Sequence, residues 1–334
     1  MSTVVTLGEV LFRLSSTNGK RLADSEIFQR FIGGAEVNVA VSLANYGHEV
    51  RVYTGVPSHE TGQAVKTFLK TNDVDTRFIV DCGDRVGIYY HEPGYSVRGA
   101  NVIYDRKGTS FLDFVKLEHD WESVFSEVDG LHVSGITPAL NEEALSFMLS
   151  ALKEANNRGI TISFDCNFRS KLWNASDASH AFKKILPFVD ICFAGYKDFL
   201  YLLGYKGVSE DFNEHDLMSC YEKAEREFNI SIFASTNRKI HSEEEQELKG
   251  YYYQDGKFYT TDHQAFHVLD RIGGGDAFAA GILHGIFKKV EPTDIINFGL
   301  AAAVLKHTVK GDHNQFAESE VYSWIEKRGR DVSR

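Results

Sequence analysis

The 334-residue sequence contains few of the residues that staple, hinge or anchor a chain. It has only four cysteines, Cys82, Cys166, Cys192 and Cys220, in neither CxxC nor clustered spacing. That excludes a disulfide framework and implies reduced structural thiols, as expected of a cytosolic protein. The thirteen histidines form no HExxH and no Cys/His cluster, so no protein-built metal site is expected. Five prolines and no Pro/Ser-rich linker leave no obvious domain boundary, and no apolar run approaches the ~18 residues that span a bilayer. There is no Lys/Arg run, and the formal net charge is -11, which argues against a nucleic-acid partner. The opening "MSTVVTLGEVLFRLS" lacks a basic leader and a small-residue cleavage site and reads as a first strand.

The chain is 43% apolar and 25% charged, enough to build a sizeable core. Short runs rich in Val, Ile and Phe at 4–9, 49–56, 130–136, 159–165, 190–195 and 230–236 read as strands. Helical patterns at 36–46, 141–156 and 215–228 lie between them. Alternation at this spacing predicts an α/β fold, a doubly wound, mostly parallel sheet with helices on both faces. Two stretches, about 11–32 and 85–111, break the rhythm and read as strand–turn–strand, a small extra sheet suited to a lid or a subunit contact.

One stretch carries chemistry. In "FHVLDRIGGGDAFAAGIL" three glycines, Gly273, Gly274 and Gly275, precede Asp276 and a helix apolar on most of its circumference. A bare backbone leading into a helix N-terminus presents free N–H groups and the positive end of the macrodipole to an anion. Asp276 suits a side-chain cap, but a cap does not need three glycines. The amides can stabilise charge on a transferring phosphoryl group while the carboxylate accepts a hydroxyl proton. Neither the P-loop nor the dinucleotide motif is present.

"DRIGGGDAFAAG" resembles the C-terminal signature of the ribokinase-like (PfkB) sugar kinases, and "GGAEVNVAVSLANYG" at 33–47 resembles their N-terminal signature. The two stand far apart in the right order, and the resemblance covers essentially the whole chain. "LGEVLFRLS", "VIYDRKGTSF" and "FDCNFRSKLW" look like 2-keto-3-deoxygluconate (KDG) kinases, although fructokinases share much of that frame. The resemblance implies one ribokinase-like domain over 1–334 with a small β-sheet lid. It also implies Asp276 as base, the amides of residues 273–275 as anion hole, ATP as donor and Mg²⁺ held largely by the nucleotide. A homo-oligomer joined through the lid sheet is expected, because an exposed sheet edge invites a partner.

Strand alternation puts Tyr104 and Arg106 on one face, where a phenol and a guanidinium suit a hydroxylated carboxylate. Arg169 follows a strand at the carboxyl end, where open sheets place ligands. By resemblance, Arg169 reaches the acid end of the substrate or the nucleotide phosphates, and Asn167 is a nucleotide-side neighbour. Gly34, Asn38, Tyr90, Tyr104 and Asp312 correspond to sugar contacts, and Ser235, Asn237 and Arg238, with Gly273 and Gly275, to nucleotide contacts. Glu9 reads equally as a lid-base residue and a substrate contact. KDG is an acid and fructose is neutral, so converging arginines in a chain of net charge -11 favour the acid. The reading is phosphorylation of the terminal hydroxyl of KDG to 2-keto-3-deoxy-6-phosphogluconate. The alternatives are a neutral-sugar kinase such as a fructokinase, and a non-catalytic sensor of sugar or nucleotide.

The pattern also departs from the family. Gly195 and Asp198 stand where relatives carry Asn-x-x-Glu, and the usual Gly-rich turn after 230–236 is replaced by "NRKIHSEEEQELKG", whose acids at 243–245 read as a solvated loop. Arg271 replaces a small or hydroxyl residue and could lie along phosphate or pair with an acid.

Overall fold

The structure is a computed structural model, described here for residues 1–17, 19–205, 209 and 211–327. Its strands, in chain order, are β1 Thr3–Leu7, β2 Leu11–Ser16, β3 Phe28–Gly33, β4 Glu49–Val56, β5 Ile79–Asp81, β6 Gly87–Glu92, β7 Asn101–Asp105, β8 Gly130–Ser134, β9 Thr161–Asp165, β10 Ile191–Phe193, β11 Ile232–Ile240, β12 Glu245–Gln254, β13 Lys257–Thr260 and β14 Gln264–His267. Ten of them form one sheet, ordered β13-β12-β11-β10-β9-β8-β1-β4-β5, with β14 beside β12. From β11 to β5 every pairing is parallel, and β12 pairs antiparallel with β11, β13 and β14.

Residues on the parallel strands alternate between two cores. Val4, Val50, Val52, Ile191 and Phe193 pack on one face with helices Ala35–Asn45, Gly274–Lys288 and Pro292–His307. Val5, Tyr53 and Cys192 pack on the other with Glu142–Asn157, Ala175–Ile185 and Glu214–Phe228. This is the period of two that a sheet covered on both faces imposes. The helix boundaries lie within a residue of those read from the sequence.

The antiparallel extension was not foreseen. Residues 238–240 complete β11 instead of leaving it, and Glu245 opens β12, so the acids at 243–245 sit at the turn of a long hairpin and the first residue of its second strand. Leu248 and Tyr252 pack into one core and Tyr251 and Tyr253 into the other, and these four buried side chains hold the hairpin onto the sheet. The four cysteines are free, and no described helix is long and apolar enough to cross a membrane.

A separate four-stranded sheet, ordered β3-β2-β6-β7, is built from the two stretches that broke the alternation; residue 18 of the first lies outside the described residues. Cross-strand register gives it two unlike faces. Phe31, Arg13, Tyr89 and Tyr104 form one row, and Arg30, Leu14, Tyr90 and Ile103 form the next. Neighbouring rows must point to opposite sides.

Arg13 belongs to the first row and has no exposed surface. Its Nη1 and Nη2 donate to the two oxygens of Asp270 at 3.1 and 2.6 Å, and its Nε lies 2.9 Å from Asp312 Oδ1. The guanidinium also covers the Phe31 ring, 4.2 Å from its centre. Removing one member of a buried ion cluster leaves the others uncompensated and costs about 3–5 kcal/mol. Arg13→Met is therefore expected to lower the thermal unfolding midpoint clearly, whereas Arg77→Met, which removes an exposed pair with Asp75, should change it little. Differential scanning calorimetry compares the two.

Candidate active site

The small sheet and the carboxyl ends of β8–β11 enclose a cleft of about 850 Å³. Open α/β sheets place ligands at this position, beyond the strand ends where the order of strands turns back. Here the turn falls at β1, which has β4 on one side and β8 on the other.

Its floor is the start of helix Gly274–Lys288. Gly273 sits at the N-cap with φ +80°, and a Cβ there would lie 1.6 Å from the Asp312 carbonyl oxygen, so only glycine fits. Gly274 faces inward, where a Cβ would meet the His307 ring at 2.2 Å, while Gly275 has open space before it. The first intrahelical bond runs from the Ala277 N–H to the Gly273 carbonyl, which leaves the amides of the preceding turn for a ligand. Gly273 and Gly275 line the cleft and Gly274 does not. Its contribution to an anion hole is therefore restricted to its amide.

Asp276 lies in this turn, and Asn38 Nδ2 donates to its Oδ2 at 2.6 Å. Burial pushes the Asp276 carboxyl up to about 7, against the Asn38 hydrogen bond and the Arg169 charge, which lower it. Asn38 projects from the first turn of helix Ala35–Asn45, which begins after Gly34 (φ 141°) beneath the Glu9 carbonyl. Its Oδ1 is buried and lacks a hydrogen-bond partner among the described residues. A buried acceptor left open in a cleft is suited to a ligand hydroxyl.

Two more carboxyls line the cleft, and Asp165 feels the charge of both Asp276 and Asp198. Burial raises Asp165, at the end of β9, to about 8, reinforced by the charge of Asp276, and raises Asp198 to about 6. Asp165 Oδ1 also accepts the N–H of Asn167, whose φ is +39°. Asp198 Oδ2 accepts the Gly195 N–H at 2.8 Å, so the altered "GYKD" motif closes on itself. The exposed Arg169 is the cation that lowers all three carboxyls, and its own hydrogen bond is a long one to the Phe168 carbonyl.

The structure brings together Gly34, Asn38, Tyr104, Arg106, Asn167, Arg169, Ser235, Gly273, Gly275, Asp276 and Asp312 around one cleft. Two predicted contacts are not among its lining residues. Tyr90 belongs to the outward row of the small sheet and packs edge-on against Phe28, and its neighbour Tyr89 faces the cleft instead. A shift of one residue along a strand exchanges its faces. Asn237 on β11, paired with Lys249, is likewise not a cleft residue, whereas Ser235, Thr236 and Arg238 are.

Arg106 is in the cleft but not free. Its Nε and Nη2 both reach Glu9 Oε2, at 2.6 and 2.5 Å, in a buried pair. Glu9 is thus a base for the small sheet. Asp312 is held by Arg13 and by the Tyr89 hydroxyl. Sequence reasoning missed Tyr89, His91, Asp165 and Lys171, all of which line the cleft. Asp165, the acid that closes a strand followed by glycine-free loop residues, was the one with a readable signal.

The model of the pfkB family carbohydrate kinases matches residues 1–318. The chain belongs to the pfkB family of carbohydrate kinases. A 2-dehydro-3-deoxygalactonokinase of Haloferax volcanii is 30% identical over 312 residues, 92% of each chain. The crystal structure of a PfkB family carbohydrate kinase from Listeria grayi is 36% identical with TM-score 0.91, covering 97% of this chain and 99% of the other. That of a 2-dehydro-3-deoxygluconokinase from Thermotoga maritima is 31% identical with TM-score 0.92, covering 97% and 98%. The fold is the ribokinase-like one, with the mostly parallel sheet and small second sheet read from the sequence.

The turn at 273–275 can be tested in this pfkB kinase without a substrate. Gly273→Ala combines left-handed backbone, about 1–2 kcal/mol for a residue with a Cβ, with a clash against the Asp312 carbonyl. Gly275→Ala meets nothing within 4 Å. Chemical denaturation should show Gly273→Ala destabilised by more than ~2 kcal/mol and Gly275→Ala close to the parent protein.

Proposed function

We propose that this carbohydrate kinase transfers the γ-phosphoryl group of ATP to the terminal hydroxyl of KDG, giving 2-keto-3-deoxy-6-phosphogluconate, and that residues 1–334 act as one domain with the small sheet as lid. The observation that carries the reading is the Asp276 carboxylate. It is fixed by Asn38 at the start of a glycine-led helix, beside the exposed guanidinium of Arg169. When ionised, Asp276 accepts the proton of the attacking hydroxyl. The amides of residues 273–275 stabilise the charge that develops on the phosphoryl oxygens. The open cradle at Gly275 fits a nucleotide phosphate, which would bring Mg²⁺ with it, and the metal would neutralise phosphate charge there.

Support for an acid substrate comes from Arg169, and from the 2-dehydro-3-deoxy acids named for the relatives. Tyr89, Tyr104 and the open Asn38 Oδ1 supply partners for sugar hydroxyls. The Glu9–Arg106 pair favours a second reading, a neutral-sugar kinase, because it cancels one of the two charges expected to attract an acid. Incubation with ATP, Mg²⁺ and either KDG or fructose separates the two. Faster turnover of KDG, lost 10²-fold or more in Asp276→Asn, is the expected result. Equal or faster turnover of fructose would reject the acid. Because only ionised Asp276 accepts a proton, the rate on KDG should climb as pH rises through about 7 and fall away below it. A flat pH profile would remove Asp276 as the base.

The outer row of the small sheet supports a further reading, association with a second copy. Ile103 is 51% exposed there, in one row with Leu14 and Tyr90, Phe28 packs against Tyr90, and β7 is an edge strand. Sedimentation should show an oligomer that Ile103→Glu converts to monomer. A parent protein that sediments as a monomer would dismiss the contact.

A further inference from the structure

Two guanidinium groups of the cleft stand without a carboxylate partner among the described residues. Arg271, exposed, stands two residues before the glycine turn, and Arg238 is half-buried on β11. Both line the cleft, and neither has a carboxylate within ion-pair distance among the described residues. Burial, together with the charge of Arg271, pushes Arg238 down to about 10. Two adjacent cations without a counterion are costly to hold together unless an anion joins them.

Arg238 is also built into the anion-binding turn. His307 Nδ1 lies 2.6 Å from the Ala303 carbonyl, so the ring carries its proton there and its Nε2 lone pair accepts from Arg238 Nη2 at 3.2 Å. Burial, then the Arg238 charge, holds His307 down at about 3, so it remains a neutral acceptor. The same ring fills the space a Gly274 side chain would take. His307 thus joins the glycine turn to Arg238 as one packed unit and acts as a positioning residue.

We propose that Arg238 and Arg271 form a paired guanidinium clamp for the polyphosphate of a nucleotide, continuing the row of amides at Gly274 and Gly275. The ligand class follows from charge. A sugar carboxylate neutralises one guanidinium, whereas two guanidinium groups and a row of amides call for a multiply charged anion. Position agrees, since the hydroxyl-binding groups Asn38, Tyr89 and Tyr104 come from helix Ala35–Asn45 and the small sheet, and the two arginines come from β11 and the turn before Gly273.

The clamp deepens the kinase reading and rests on its phosphoryl donor, yet it can be tested separately. Calorimetric titration of the full chain with ATP and with adenosine, for the parent, R238Q, R271Q and the double variant, reads it directly. Each substitution is expected to weaken ATP roughly tenfold, as loss of a charge-assisted bond does, with adenosine affinity unchanged. His307→Ala should weaken ATP in the same direction, and R238K should recover part of the loss. The clamp is overturned if the double variant binds ATP like the parent, if ATP and adenosine weaken together, or if only the KM for KDG rises. A parent protein that phosphorylates no sugar but prefers ATP through these arginines would end the kinase reading and leave the clamp standing.

Discussion

A guanidinium shut away from water, that of Arg13, joins three distant parts of the chain. It stands on β2 of the small sheet, grips Asp270 just before the glycine turn, and grips Asp312 in the loop after helix Pro292–His307. Asp312 in turn accepts from Tyr89 on β6, and Asp270 accepts the N–H groups of Ile272 and Gly311. Burial alone would lower the Arg13 pKa, but the Asp312 and Asp270 charges outweigh it and raise the value, as expected for an ion kept buried by its partners. The glycine turn therefore has its position fixed by the small sheet, and the sheet is tied to the main body through the turn. Loosening one must loosen the other.

The second constraint is the scarcity of water around the acids of the cleft. Asp165, Asp198 and Asp276 are each raised by burial, to about 8, 6 and 7. Three neighbouring carboxyls cannot all ionise without a counter-charge, and Arg169 is the cation that stabilises the charged form of each. A carboxyl that is half ionised near neutrality is suited to the proposed role of base, since it combines adequate basicity with adequate population of the reactive form. The lysine nearest this floor, Lys306, spends its donors on the Asp270 and Val309 carbonyls and is pushed down by burial to about 8. It supports the turn from behind without entering the cleft.

The arginines in and around the cleft fall into two groups. Arg13 and Arg106 are consumed by internal carboxylates, while Arg169, Arg238 and Arg271 are not. An arginine counted in sequence is therefore a poor measure of ligand charge. Arg106 seemed the natural grip for an acid, yet Glu9 holds two of its nitrogens. Arg271 looked like an oddity in a conserved-looking motif, yet it ends with no acid partner among the described residues.

Local signals determined what local physics controls. The glycine run before Asp276, the period of two in the strands and the two stretches that broke the β–α alternation were enough to read the fold class and the glycine-led helix start at the cleft, and the family resemblance added residues such as Gly34, Asn38 and Ser235 that line it. They were enough because backbone freedom, alternation and helix entry depend on neighbours a few residues apart. Three things were beyond that reach: which of Tyr89 and Tyr90 faces inward, whether residues 238–254 form a loop or a hairpin, and which arginines are already paired. The first is a question of one-residue register against β7, set by the whole small sheet. The second depends on tyrosines of β12 finding a core made by helices from elsewhere in the chain. The third depends on Glu9 meeting Arg106 across 97 residues and on Arg13 meeting Asp270 across 257, contacts that exist only once the chain has closed on itself.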